Sequence, residues 1–223
     1  MRRGHPVFAR FYVRVGLAME RGGVNAHRTA LLAGTRGRVI EIGAGSGLNF
    51  PHYPAGVDQV VAVEPEPRLR ALATDAARTA PVPITVTDGV AEDLPAEDGS
   101  FDTAVACLML CSVDHRETAL AELFRVLKPG GRLHVFEHVQ AATPGLAGAQ
   151  RVLDATIWPV VNGGCHLGAD TRTAIDRAGF TGAEFRDVMW PQARIPLPFA
   201  PHILGTAVRP AAAETTGTAA PAR

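Results

Sequence analysis

Three glycines at alternate positions follow a short β-forming run in GRVIEIGAGSGLNF, residues 37–50. The apolar residues before them predict a strand buried on both faces, and bare backbone directly after a strand lets a turn approach a ligand closely. Gly47 follows Gly45 by two residues, so the dinucleotide fingerprint GxGxxG is not met, and no Gly-Lys-Ser or Gly-Lys-Thr is present to hold a triphosphate. The loop therefore indicates a nucleoside ligand without phosphates.

Acidic residues stand at the positions where such a ligand needs them. Glu64 ends the next strand in VVAVEPEP, where a carboxylate can accept hydrogen bonds from ribose hydroxyls, and Glu41 precedes the loop. In DGVAEDLP, Ala91 could offer its backbone N–H to an adenine ring, and Glu92 or Asp93 could accept from the exocyclic amine. Each acid alone has a plain alternative as a solvated surface group. Together they favour a nucleoside site.

Histidines close to predicted strand ends are candidate general bases. His138 directly follows a strand in HVFEHV, and histidine titrates in the working pH range; its alternative is a structural hydrogen bond to a neighbouring loop. Glu137 competes with it for contact with a substrate. His166 and Cys165 follow a glycine pair in GGCHLGAD that could fold over a pocket, and we expect Cys165 to line that pocket rather than act as a nucleophile. The predicted catalytic residues are thus His138 and His166.

The N-terminal segment carries an apolar stripe at helical spacing. Tyr12, with Phe8 and Phe11, could form a lid over the cofactor, or the segment could be an ordinary packing helix. Arg10, Arg14, Glu20 and Arg21 interrupt its apolar residues, so we expect neither a signal peptide nor a stable membrane insertion.

Composition narrows the class of partner. The 22 basic and 22 acidic residues give no field that would attract nucleic acid, so a small molecule is the expected partner. Three cysteines make no disulfide framework, which suits a cytoplasmic protein. Cys107 and Cys111 are spaced CxxxC, but no second ligand pair stands at zinc-like spacing, so no metal is predicted.

Strand and helix patterns alternate along the chain and predict an α/β fold with a doubly wound, mostly parallel sheet of seven strands. Residues 1–33 are predicted to form a helical lid, 34–209 the main domain with a closing antiparallel hairpin, and 210–223 a disordered tail. The predicted strands are 38–42, 59–63, 82–87, 101–107, 131–137, 182–189 and 202–208; the predicted helices include 6–20, 24–33, a short one from 46, 66–79, 114–127 and 170–178.

Five motifs, in this order and at these spacings, resemble the class I S-adenosylmethionine-dependent methyltransferases, which have a Rossmann-like fold: VIEIGAGSG, VAVEPEP, VAEDLP, SFDTAV and LKPGG. The resemblance implies S-adenosylmethionine as cofactor, with the glycine loop on its amino acid portion, Glu64 on the ribose and Ala91 with Glu92 around the adenine. Val90 stands where many relatives have Asp. The implied cofactor residues are Glu41, Gly43, Ala44, Gly45, Gly47, Asn49, Glu64, Pro65, Ala91, Glu92, Cys107 and Leu108.

A narrower resemblance rests on GLNFPHYP, CLMLCSV, FEHV, GGCHL and TRTAIDRAGF, which are similar to segments of the methyltransferase-like thiol S-methyltransferases and their bacterial relatives. It implies a thiol acceptor, contacted by Tyr12, Glu137 and Cys165. The human members carry an N-terminal membrane anchor, which we do not expect in this chain. N- or O-methylation of a secondary metabolite is the alternative, followed by a phospholipid headgroup. A nicotinamide oxidoreductase and a cofactor-binding protein without activity are the rivals from other classes.

Overall fold

The structure, a computed structural model, describes residues 6–211, with side chains from residue 13 onward. The helices are α1 (Pro6–Arg21), α2 (Val24–Leu32), α3 (Pro67–Ala77), α4 (Arg116–Val126), α5 (Pro144–Asp154), α6 (Trp158–Val161) and α7 (Thr171–Arg177). The strands are β1 (Gly37–Ile42), β2 (Val57–Val63), β3 (Ile84–Thr87), β4 (Phe101–Cys107), β5 (Leu127–His138), β6 (Thr181–Met189) and β7 (Pro201–Val208).

The seven strands form one sheet in the order β3-β2-β1-β4-β5-β7-β6. The strands from β3 to β5 pair in parallel, and β7 pairs antiparallel with both β5 and β6. This confirms the predicted doubly wound sheet with a closing antiparallel pair. Because the order reverses between β1 and β4, the carboxyl ends of these strands open a crevice at that point.

The sheet has a hydrophobic core on each of its two faces, because successive side chains of the central strands point to opposite faces. Ile40 and Ile42 of β1 pack on one face of the sheet, with α4 and α7, whereas Val39 packs on the other face, with α2 and α3. Since successive strand residues point to opposite faces, a central strand with apolar residues at adjacent positions must be covered on both. The sheet is therefore buried between two helical layers, as the hydrophobic runs predict.

The helix predicted from residue 46 is wrong. Residues 45–49 form turns, and Phe50–His52 make a single 3₁₀ turn. Gly47 has a φ of +83°, a left-handed conformation that a right-handed helix does not accommodate. The chain therefore turns away from the loop and reaches α3 only after β2.

The N-terminal helices pack against the open end of the sheet. Trp190 Nε1 donates a 3.0 Å hydrogen bond to the Gly22 carbonyl, and Arg28 Nε donates to the Glu20 carboxylate at 2.7 Å. These contacts hold the corner between α1 and α2. The lid boundaries of 1–33 stay a prediction, because residues 1–5 and the side chain of Tyr12 lie outside the described part of the chain. Residues 212–223, most of the predicted tail, also lie outside it.

Within residues 6–211, no helix combines the length and the apolar character that a bilayer crossing requires.

Candidate functional site

Two adjoining cavities lie at the carboxyl ends of the parallel strands. The first cavity follows the glycine loop and the loop after β3, and its space is about 680 Å³ when the open solvent at its mouth is included. Seven of the predicted cofactor residues line it: Gly43, Gly45, Glu64, Pro65, Ala91, Glu92 and Leu108.

The glycine loop is built for close approach. Gly43, Gly45 and Gly47 all have positive φ, of +63°, +58° and +83°. A Cβ on Gly43 would overlap the Met109 side chain, and one on Gly47 would lie 2.8 Å from the Phe50 ring. Both conformation and space therefore require glycine at these two positions. Ala44, which lies between them, is buried and donates from its backbone to the Val63 carbonyl.

Glu64 presents an oriented carboxylate in the wall of the first cavity. Its oxygens accept hydrogen bonds from the backbone N–H of Gly45 at 2.7 Å and of Glu66 at 2.9 Å. Burial raises the pKa of Glu64 to about 7, although these two hydrogen bonds oppose the shift. Each carboxylate oxygen has a second lone pair, so the group can still accept from ligand hydroxyls.

Glu41 lies behind the loop and does not line either cavity. Its buried carboxylate accepts from Asn49 Nδ2 at 2.8 Å and from the Tyr53 hydroxyl at 2.7 Å. Burial raises the pKa of Glu41, and the hydrogen bonds from Tyr53 and Asn49 oppose the increase. Glu41 and Asn49 therefore support the turns that follow the loop, which differs from the direct cofactor contact predicted for them.

Arg28 is a site residue that sequence reasoning missed. It is buried in α2 on the same stripe as Val24 and Leu31, and a charged residue on an apolar stripe was the available signal. One of its nitrogens donates to Asn49 Oδ1 at 2.8 Å and to Cys107 Sγ at 3.2 Å. Cys107 is thereby enclosed beneath the site, and burial raises its pKa to about 12.

The second cavity lies beside the first and beneath α1, and its space is about 1010 Å³ when the open solvent at its mouth is included. Leu108, Ser112 and Asn162 line both cavities, so a ligand in one can meet a ligand in the other there. Leu108 has a φ of +55°, the one positive φ of a non-glycine residue in the described chain. Such strain is typical of functional sites. The rest of the wall is mostly apolar: Val15, Gly16, Met19, Trp158, Trp190, Pro191 and Phe199, with Arg28, Cys111, His138 and Cys165.

Two thiols and an imidazole meet in the wall of the second cavity. Cys111, His138 and Cys165, here called the thiol–imidazole cluster, have a sulfur–sulfur distance of 3.5 Å. His138 Nδ1 lies 3.6 Å from Cys111 Sγ and 3.7 Å from Cys165 Sγ. The contact between the two sulfurs, and then the hydrogen bond and charge of His138, lower the pKa of Cys165 against the opposing effect of burial, while the same contact and burial raise the pKa of Cys111.

Glu137 is fully buried and lines neither cavity. Its carboxylate accepts hydrogen bonds from the backbone N–H groups of Met109, Leu110 and Cys111, at 2.7, 2.8 and 3.3 Å. The predicted contact between Glu137 and a substrate is therefore corrected. Because both oxygens are engaged by the chain itself, Glu137 positions the loop that carries Cys111.

Cys165 and His166, the two candidate site residues in GGCHL, have different environments. Cys165 lines the second cavity, whereas His166 is exposed, lines neither cavity, and contributes only its backbone N–H, which donates to the Cys111 carbonyl at 2.8 Å. A catalytic contact for the His166 side chain is therefore not evident in this geometry. Cys111 pairs with Cys165, 54 residues away, and not with Cys107 of the CxxxC motif.

The first cavity fits the cofactor that the sequence resemblance implies. Gly43 and Gly45, both with positive φ, present bare backbone in the wall of this cavity, and the carboxylate of Glu64 keeps lone pairs that can accept from ligand hydroxyls. The residues that would hold S-adenosylmethionine are the glycine loop for the amino acid portion, Glu64 for the ribose, and Ala91 with Glu92 for the adenine.

Comparison with known proteins agrees with this geometry. Residues 40–135 match the family described as a methyltransferase domain. The chain is 36% identical to thiol S-methyltransferase TMT1B of Rattus norvegicus over 185 residues, 80% of this chain and 74% of that protein. It is 33% identical to thiol S-methyltransferase TMT1A of Homo sapiens over 189 residues, 79% of this chain and 73% of that protein.

Solved structures share the fold. One described as a possible histamine N-methyltransferase from Thermotoga maritima has a TM-score of 0.68 at 21% identity and covers 91% of this chain and 98% of its own. The cyclase SpnF has a TM-score of 0.65 at 20% identity and covers 86% of this chain and 81% of its own. Because one fold here serves two named reactions, the acceptor has to be argued from the site.

Proposed function

Because the chain belongs to the S-adenosylmethionine-dependent methyltransferases, in the family that includes the thiol S-methyltransferases, we propose that it methylates the sulfur of a small, largely apolar thiol. The observation that carries the proposal is the second cavity, whose wall is apolar except for a guanidinium, two thiols, an imidazole, a serine and an amide. It adjoins the cofactor cavity at Leu108, where a methyl acceptor has to stand.

The acceptor chemistry is argued from what this wall can do. Among the described residues that line the second cavity, none is a carboxylate, a lysine or a tyrosine, so His138 is the one ordinary general base there. A phenol or an ammonium needs a base before it can attack, whereas a thiol of pKa about 8.5 is partly ionised near neutral pH. A thiol can therefore react in this wall without a base, whereas a phenol or an ammonium would depend on His138 alone.

S-adenosylmethionine, when bound, supplies a methyl group on a sulfonium that leaves readily as a thioether. The chain has to bind the acceptor in line with that methyl and exclude water, and such positioning contributes about 7 to 11 kcal/mol. The apolar residues of α1 and the two tryptophans cover the acceptor. The acceptor thiolate takes the methyl as its sulfur–carbon bond forms, the products are a methyl thioether and S-adenosylhomocysteine, and the thiol proton goes to solvent.

We also assign Arg28 to the carboxylate of the cofactor's amino acid portion. Arg28 donates to Asn49, which supports the turns after the glycine loop, and it reaches the edge of the second cavity. A buried guanidinium at this place complements a ligand carboxylate. We expect the protein to act in the cytoplasm as a small-molecule enzyme, with no nucleic acid partner.

Acceptors that differ in one atom test the proposal. We expect S-adenosylhomocysteine release with thiophenol, and kcat/KM at least about 10²-fold lower with phenol and aniline, which lack an ionised sulfur. Binding of S-adenosylhomocysteine, measured by calorimetry, serves as the control for an intact cofactor site. Turnover of phenol or aniline above that of thiophenol would overturn the thiol assignment and favour O- or N-methylation.

A further inference from the structure

The three atoms of the thiol–imidazole cluster form a nearly equilateral triangle. Its sides are 3.5 Å between the sulfurs and 3.6 and 3.7 Å from His138 Nδ1 to Cys111 and Cys165. Of the three residues, Cys111 and Cys165 are buried and His138 is half-buried. A triangle of this kind can accommodate a cation at bonding distance from all three atoms.

The dimensions correspond to those of a tetrahedral zinc site. With Zn–S bonds of about 2.3 Å and Zn–N bonds of about 2.0 to 2.1 Å, tetrahedral angles place two sulfurs about 3.8 Å apart and a sulfur and a nitrogen about 3.6 Å apart. The observed distances differ from these by about 0.3 Å or less. A Cys₂His donor set is also chemically suited to zinc, since two thiolates neutralise the ion.

The protein backbone holds the three ligands in place from three elements. Cys111 follows β4, and its loop is fixed by the three hydrogen bonds to Glu137. His138 ends β5, and its ring packs against the ring of His202 at a centroid distance of 4.2 Å. Cys165 is tied to the Cys111 loop because His166 N donates to the Cys111 carbonyl. Fixed ligands of this kind reduce the ordering that metal binding requires.

One side of the triangle remains open to the acceptor. All three ligands line the second cavity, so a bound ion has its fourth position towards that space. Trp158, which packs against Cys111 and Cys165, has a buried Nε1–H that makes no regular hydrogen bond in the described chain but lies close enough to Cys165 to lower the pKa of that thiol. Such a donor is suited to a metal-bound thiolate, because partners around the ligands commonly stabilise their charge.

We propose that Cys111, His138 and Cys165 bind a thiophilic divalent cation, with Zn²⁺ as the reference ion, whose open fourth position takes the sulfur of the acceptor. The use of the site for an acceptor thiol depends on the function proposed above; binding of the ion does not. This revises the prediction of no metal. That prediction relied on short spacings, whereas these ligands are 27 and 54 residues apart along the chain.

A bound cation would favour the deprotonated, thiolate form of the acceptor and would hold its sulfur in position. The acceptor thiol loses its proton to solvent as its sulfur binds the cation in place of water, and the resulting thiolate takes the methyl group. The methyl thioether is neutral and a weaker ligand, so it leaves and water returns. No electron is gained or lost by the ion. Selection of sulfur over oxygen and nitrogen follows from the preference of a sulfur-rich site for soft ligands.

Cobalt substitution tests the site without any acceptor. The full chain, reduced and freed of metal by a chelator, is titrated with Co²⁺. We expect one ion per chain, with thiolate-to-cobalt absorption in the near ultraviolet and the intense visible bands of a tetrahedral site, and displacement by Zn²⁺. C111S and C165S should each weaken binding at least about tenfold and reduce the thiolate absorption.

C107A is the matched control, because Cys107 is also buried but lies outside the cluster. It should bind Co²⁺ as the unchanged chain does. Absence of the absorption bands in the reduced chain, or bands that persist in the C111S/C165S double variant, would overturn the site. So would a Cys111–Cys165 disulfide that forms equally well with and without Zn²⁺, since a bound ion has to protect both sulfurs.

Thiophenol and phenol then test the fourth position. Thiophenol should increase the thiolate-to-cobalt absorption of the Co²⁺ form, whereas phenol should leave it unchanged. Methylation of thiophenol by a metal-free chain at the full rate would refute the metal's role in catalysis and leave the thiol methyltransferase proposal intact. A loaded chain that binds thiophenol at cobalt but releases no S-adenosylhomocysteine would instead refute the proposed function.

Discussion

The backbone N–H of Gly45 donates a 2.7 Å hydrogen bond to the carboxylate of Glu64, across the wall of the first cavity. This bond joins the loop after β1 to the tip of β2, so the two parts of the chain that would hold the cofactor's amino acid and ribose portions are fixed to each other. It also keeps a carboxyl group in a buried place, where its pKa rises to about 7.

Replacement of this carboxylate is predicted to weaken cofactor binding. Glu64→Gln keeps the size of the side chain but presents an N–H₂ group to donors on one side. We expect affinity for S-adenosylhomocysteine to fall by about 10- to 150-fold, which corresponds to the 1.5 to 3 kcal/mol of hydrogen bonds to a charged group. Calorimetry measures the change, and a loss below tenfold would mean that Glu64 does not contact the ribose.

The raised pKa of Glu64 predicts that the affinity for S-adenosylhomocysteine depends on pH. Hydrogen bonds from ribose hydroxyls favour the ionised form, so binding has to release the Glu64 proton below pH 7. Affinity should therefore rise by up to about tenfold per pH unit as the pH increases towards 7, and level off above it. Glu64→Gln should abolish the rise. The stability of the folded chain without cofactor should depend on pH in the opposite direction. The raised pKa of Glu64 stabilises the folded chain fully below about pH 4.5, and this stabilisation is lost as the pH rises through about 7.

Arg28 is predicted to act on one end of the cofactor only. Arg28→Gln should weaken binding of S-adenosylhomocysteine by about tenfold or more, because a charged partner of the carboxylate is lost. Binding of 5′-methylthioadenosine, which has no amino acid portion, should stay within about threefold. An equal loss for both ligands would show that Arg28 supports the whole site through Asn49 instead of meeting the carboxylate.

Glu137 is predicted to stabilise the loop that carries Cys111. Glu137→Gln puts an N–H₂ group where a backbone N–H needs an acceptor, and an unsatisfied buried group costs about 1 to 3 kcal/mol. Urea denaturation should show that loss. Glu97→Gln, at an exposed glutamate, should change the unfolding free energy by less than about 0.5 kcal/mol. Equal stability of the two variants would contradict the assigned role.

At position 108, a glycine variant is predicted to be more stable than an alanine variant, which is the reverse of the usual order. Leu108→Ala and Leu108→Gly remove the same contacts, but at a φ of +55° only the alanine retains the steric strain of a Cβ. The glycine variant should therefore be more stable, by about 1 kcal/mol, although glycine ordinarily costs chain entropy. Thermal unfolding of the pair decides this, and a more stable alanine variant would show that the strain is absent in solution.

The fold could be predicted from the sequence because short runs of apolar residues identify the buried strands. Val39 lies on one face of β1, and Ile40 and Ile42 lie on the other, so the strand has buried apolar side chains on both faces. This pattern is typical of a central strand of a parallel sheet. The helix expected from residue 46 failed because Gly47 has a left-handed conformation, at a place where a Cβ would overlap Phe50 and Ala76, and no local pattern reveals this.

The site divides in the same way. Gly43, Gly45 and Glu64 could be placed at the carboxyl edge of the sheet because each directly follows a buried strand or its turn, and all three line the first cavity. Cys111 and Cys165 could not be paired, because the strand order and the chain beyond β5 bring them together. Glu137 was assigned to a substrate since a strand end normally opens to the cavity. Its three backbone donors, on a loop 26 to 28 residues away, decide otherwise.

The position of β7 between β5 and β6 affects how the chain can fold during its synthesis. A ribosome delivers β6 before β7, yet β6 pairs with β7 alone among the described strands, so it cannot join the sheet when it emerges. Until residues 201–208 are available, the edge of β5, which ends at His138 in the wall of the second cavity, stays unpaired. An open strand edge is a site for pairing with other nascent chains. The pairing of β7 with β5 therefore closes the strand edge that would otherwise stay open to such pairing.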